Sequence, residues 1–110
     1  MDTIEHLFVC ANEEGLEVGM AASKILRFGQ EMVWPDDSPT SNLQDFVQEV
    51  NDLMGVLECM QEHGVVLDGL YDRDAIEAKK KKIEHYMGFS HEKGTLQHTQ
   101  SPIGVAKASL

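Results

Sequence analysis

A chain of 110 residues with 42% hydrophobic composition is one domain with a modest core, to which self-association would add. Its formal net charge of −10 counts against duplex nucleic acid as a partner, because phosphate backbones are held by Lys and Arg. No apolar run approaches the roughly 18 residues of a membrane span, and the opening MDTIEHLF carries two acids and no Lys or Arg, unlike a signal peptide. The expected location is therefore the cytoplasm.

The first helix is predicted from Thr3 to Phe28, with Asp2 or Thr3 as its cap and Gly29 as its stop. Ile4, Phe8, Ala11, Gly15, Val18, Ala22 and Ile25 recur at alternating steps of four and three, and Leu7 and Leu26 widen the stripe. A loop containing WPDDSP follows. Ser41 and Gln44 have capping-box spacing before a second helix from Asn42 to His63, which Gly64 ends. Leu43, Phe46, Val47, Val50, Leu53, Met54, Leu57 and Met60 form its stripe. VVLDGLYD reads as a connector. Asp74 and Glu77 again have capping-box spacing, and a third helix is expected from Ala75 to Met87, ended by Gly88. Residues 89–110 read as a flexible tail. Three striped helices without a convincing strand predict an all-α helical bundle.

Two acidic pairs interrupt this pattern. Glu14 and Glu17 stand three apart on the first helix, about 60° apart around its axis. Glu49 and Asp52 repeat the spacing on the second, and each pair flanks its apolar stripe. If the two helices pack antiparallel through their stripes, four carboxylates converge. Like charges so placed raise one another's pKa values, and a Mg²⁺ or Mn²⁺ ion would relieve the repulsion, since hard cations take oxygen ligands. An acidic solvated face is the other reading, and the residue pattern alone leaves both open. HExxH is absent, and no His has a Glu three residues before it, so the di-iron bundle signature is missing. Cys10 and Cys59 form no CxxC and read as small buried thiols of a reduced protein, not as metal ligands.

EEGLE at 13–17 followed by EVND at 49–52 resembles the EExxE…ExxD motif of the all-α nucleoside triphosphate pyrophosphohydrolases, and most closely the small, phage-encoded MazG-like forms. AASKILRFG and NDLMGVLE strengthen the likeness, which covers about residues 4–88 and makes residues 1–88 the expected catalytic domain. The resemblance implies Mg²⁺-dependent hydrolysis of a (deoxy)nucleoside triphosphate to the monophosphate and pyrophosphate, in a bundle completed as a homodimer or homotetramer. It implies Glu14, Glu17, Glu49 and Asp52 as metal ligands, with Glu13 behind them or positioning water. For a phage-encoded protein the compartment would be the host cytoplasm. The segment between Glu17 and Glu49 is somewhat longer than is usual in that family, and the WPDDSP loop absorbs the excess. Phosphoribosyl-ATP pyrophosphohydrolase, of similar motif and size, is the alternative within that superfamily. A non-enzymatic helical oligomer that binds a nucleotide or a protein is the alternative outside it.

Further candidates for substrate contact are cationic or aromatic. Lys24 lies two turns beyond Glu17 on the same face, within reach of a phosphate or of a neighbouring acid. Of the run Lys79–Lys82 most must be solvated, but Lys79, Lys80 or Lys82 is expected to meet a phosphate, as basic residues on a late helix do in the resembled family. Tyr86 is a further candidate on that helix. Trp34, the single tryptophan, either stacks on a base or covers the core or a subunit contact.

Overall fold

The computed structural model describes residues 1–35 and 39–96. Asp36, Asp37 and Ser38 of the WPDDSP loop, and residues 97–110 of the expected tail, lie outside them. The described residues form three α-helices and no strand: α1 (Thr3–Phe28), α2 (Asn42–Glu62) and α3 (Arg73–Glu92). Two compact units divide them, Met1–Val66 with α1 and α2, and residues 67–96 with α3. None of the helices is long and apolar enough to cross a membrane.

Local chemistry sets the helix ends. Asp2 and Glu5 form a capping box at α1: Glu5 N–H donates to Asp2 Oδ1 at 2.8 Å, and Asp2 N–H to Glu5 Oε1 at 3.0 Å. Ser41 and Gln44 do the same for α2, at 3.0 and 2.8 Å. Gly29 closes α1 at φ 95°, a left-handed conformation that side chains oppose, and its N–H donates to the Ile25 carbonyl.

The third helix departs from expectation at both ends. It begins at Arg73 because Asp72, not Asp74, accepts the Ala75 N–H at 3.0 Å. Glu77 is therefore no box partner; it accepts from Arg73 at 2.5 Å and Lys80 at 3.2 Å, and these bonds, Arg73 first, hold its pKa below the usual value. Gly88 does not stop the helix, which runs to Glu92 before Gly94 adopts a positive φ of 76°. A glycine weakens a helix without forbidding it. A Cβ at Gly88 would meet nothing within 4 Å. Gly88→Ala should therefore stabilise α3 by about 0.5–1 kcal/mol. Helix content and melting temperature check this, and a destabilised variant would place the helix end where the sequence suggests.

α1 packs along α2 in the first unit. The face that α1 buries keeps Ile4, Leu7, Ala11, Val18, Ala22 and Ile25 of the expected stripe and is rotated slightly, so that Glu14 and Ala21 join it. Ile4, Leu7, Ala11, Glu14, Val18, Ala21 and Ile25 are buried or half-buried, a strict alternation of three and four. Phe8 (53% exposed), Gly15 and Leu26 (69% exposed) face outward instead. On α2, Leu43 and Val47 are likewise exposed, while Met60 at 1% exposure is the most enclosed apolar residue. The rotation is physically sensible because it lets small and branched residues line the seam. Its consequence is that Glu14 lies in the seam rather than on its flank.

The link between α1 and α2 is held by backbone and side-chain bonds. Asn42 N–H donates to the Met32 carbonyl at 2.9 Å and Leu43 N–H to the Gln30 carbonyl at 3.0 Å. Val33 and Ser41 form an isolated antiparallel bridge. This tight return sends α2 back along α1, so the two run antiparallel.

Candidate metal centre

The antiparallel return pairs the middle of α1 with the middle of α2. One carboxylate oxygen each from Glu14, Glu49 and Asp52 lies within 4.8 Å of the others, and all three residues are half-buried. Among the described residues no other group of three or more His, Cys, Asp or Glu donors is gathered so closely. Gln48, one turn before Asp52, donates to Asp52 Oδ1 at 2.8 Å and orients that carboxylate.

The electrostatics of the cluster show in Glu49. Burial pushes its carboxyl above the ordinary value, and the charges of Asp52, Glu17 and Glu14, with a hydrogen bond to Asp52, push in the same direction. A raised acid favours the folded state while protonated. In metal-free protein the stabilisation from Glu49 is full below the ordinary value of 4.5 and is lost as pH rises through the raised one. Wild type and Glu49→Gln, melted in chelator across that window, should thus diverge, wild type falling below the variant as pH increases. Parallel melting curves would contradict the charge crowding.

The remaining candidates divide by place. Glu17 and Lys24 line a small cleft of about 80 Å³ with Met20, Ala21, Asn42, Asp45 and Glu49, directly beside the triad. Glu17 is therefore next to the cluster without belonging to it, and Glu13 is exposed outside it. Trp34 is half-buried. Its indole N–H donates to Asn42 Oδ1 at 2.7 Å, and its ring meets Phe28 edge-on with centroids 5.3 Å apart. These contacts set Trp34 over the α1–α2 link. In the second unit, Lys79, Lys82 and Tyr86 line an open groove of about 380 Å³ with Ile83 and Met87, while Lys80 is paired with Glu77.

Sequence reasoning passes over three polar residues of this region. Asn42, 1% exposed, accepts from Trp34 and donates to the Gly29 carbonyl at 3.0 Å. Its signal is its seam position, at the same phase as Phe46, Glu49, Leu53 and Met60. Gln48 is legible as an i,i+4 partner of Asp52. Asp45 lines the cleft and accepts from the Thr40 hydroxyl, a contact that depends on the loop and leaves no mark in the periodicity.

No family model, no curated protein and no solved structure matches this chain.

Proposed function

We propose that this chain is a Mg²⁺-dependent nucleoside triphosphate pyrophosphohydrolase of the MazG-like, all-α type, which cleaves (deoxy)nucleoside triphosphates to the monophosphate and pyrophosphate. The observation that carries this reading is the gathering of Glu14, Glu49 and Asp52 within 4.8 Å, with Lys24 and Glu17 lining the cleft beside them. An all-oxygen donor set suits Mg²⁺ or Mn²⁺. Burial first, and then the charges of Asp52, Glu17 and Glu14, oppose ionisation of Glu49, and a bound cation would offset the second of these. Glu14, Glu49 and Asp52 would hold the ion, with Glu17 as the adjacent carboxylate.

Bound there, the ion would polarise a phosphoryl oxygen and neutralise charge on the departing pyrophosphate. The chain's own groups would do the rest. The Lys24 ammonium binds a phosphate oxygen at the cleft. Glu17 accepts a hydrogen bond from the attacking water and orients it, with Glu13 behind. Gln48 keeps Asp52 in one orientation. Phosphoryl chemistry of this kind rests on positioning and charge stabilisation. Exposed Phe8, Leu16 and Met20 on α1 support a homodimer or homotetramer, since large apolar side chains grouped on one helix usually find a partner.

The test is pyrophosphate release from a panel of ribo- and deoxynucleoside triphosphates with Mg²⁺, Mn²⁺ or EDTA, and the expected result is release that EDTA abolishes. Saturating Mg²⁺ should also raise the melting temperature, because an ion at a hundred times its dissociation constant stabilises by about 2.7 kcal/mol. A folded protein with neither response is a helical protein with an acidic surface.

A further inference from the structure

Four donors of another chemistry border the same groove. His6 and Cys10 stand one turn apart on α1. Cys59 and His63 stand one turn apart at the end of α2, where His63 is the C-cap. Both thiols are half-buried rather than enclosed, and both imidazoles are exposed. A CxxC spacing suits a turn; on a helix the chelating spacing is i,i+4, because that places two side chains on one face.

The α1 distance fits a chelate. Cys10 Sγ lies 3.6 Å from His6 Nε2, and Cys59 Sγ lies 3.8 Å from His63 Nδ1. A tetrahedral zinc ion, with bonds of about 2.3 Å to sulfur and 2.0–2.1 Å to nitrogen, holds those two donors about 3.5 Å apart. The α1 pair already has that bite. His63 Nδ1 also lies 3.0 Å from the Cys59 carbonyl oxygen. Nδ1 donates in that bond, so this pair grips a metal through Cys59 Sγ and Nε2 once the imidazole turns, and the 3.8 Å separation is not its bite.

Both pairs sit on the acidic flank of the groove. Cys10 precedes Glu14 and Glu17 by four and seven residues, and Cys59 follows Asp52 by seven, so each continues its helix's acidic row. The antiparallel register carries both rows toward the α1 N-terminus, beyond the triad. The four donors are not gathered about one point as the acids are, so each pair is a separate two-donor grip.

We propose that His6–Cys10 and Cys59–His63 bind thiophilic divalent cations of the zinc class, independently of the oxygen-donor triad. Thiolate and imidazole select Zn²⁺ over Mg²⁺, and binding releases the thiol proton to solvent.

Co²⁺ titration of the full, reduced chain tests this. The expected result is a near-ultraviolet thiolate-to-cobalt charge-transfer band that Zn²⁺ displaces, since zinc binds such donors more tightly. Cys10→Ser and Cys59→Ser should each remove about half of it, one thiolate of two, and together all of it. His6→Ala should weaken the Cys10 share without touching a thiol. Glu49→Gln should leave the band unchanged, which separates this site from the triad and from the proposed reaction. No band in the wild type, or one that survives the double substitution, overturns the proposal; a single Cys→Ser without effect overturns it for that pair. Far-ultraviolet circular dichroism confirms that each variant remains helical.

Discussion

Glu49→Gln is expected to abolish metal-dependent pyrophosphate release and, in the same protein, to raise the melting temperature measured in chelator. The two effects have one cause. Glu49 sits in the α1–α2 groove with Glu14 and Asp52, and burial together with the neighbouring carboxylates opposes its ionisation. Gln keeps the shape and removes the charge, so repulsion in the empty site falls. The same change replaces an anionic oxygen donor with a neutral amide oxygen, a much weaker ligand for a hard cation. Groups that merely orient metal ligands cost about 10–100-fold when lost, so a direct ligand should cost about 100-fold or more. The Mg²⁺-induced rise in melting temperature should shrink along with activity. Pyrophosphate release and thermal melts with and without Mg²⁺ read both halves. A variant with normal turnover would remove Glu49 from the centre. One that is inactive and also less stable without metal would mean that the side chain serves packing.

The second large effect is expected at Asn42. Its side chain closes the α1–α2 link from a position almost wholly removed from water, accepting the Trp34 indole N–H and donating to the Gly29 carbonyl. Asn42→Ala leaves both partners unsatisfied and opens a small void. A buried polar group without a partner costs about 1–3 kcal/mol, so a total of about 2–4 kcal/mol is expected. In a domain of this size that lowers the melting temperature by about 10 °C or more. Trp34 reports the same event, since an indole released toward water emits at longer wavelength. Asn42 also lines the cleft with Lys24 and Glu49, so catalysis should fall with stability. Unchanged melting and unchanged emission would show that the loop is held by its backbone bonds alone.

Much of this architecture is legible in the sequence because it is local. The ends of α1 and α2 follow from Asp2, Ser41 and Gly29, each of which acts within a turn of itself. The spacing marks Glu14, Glu17, Glu49 and Asp52 as two pairs on two helix faces, because three residues make nearly one helical turn, but not that Glu14, Glu49 and Asp52 gather while Glu17 stands beside them. α3 is harder for the same reason. Asp72 and Asp74 are both competent caps, and Gly88 only weakens a helix, so small energies decide both ends.

The sequence by itself determined three amphipathic helices, the N-caps of the first two and two acidic rows, since propensity and periodicity are properties of neighbours along the chain. Only the tertiary structure decided which face of α1 turns inward, and with it that Glu14 enters the seam while Phe8 and Leu26 leave it. It decided that Trp34 gives its N–H to Asn42, and that Cys10 and Cys59 are half-buried rather than enclosed. Each of these depends on the rotation and register of one helix against another. Those are set by how side chains of different size fill a shared seam, a sum over contacts between distant residues that no local spacing encodes.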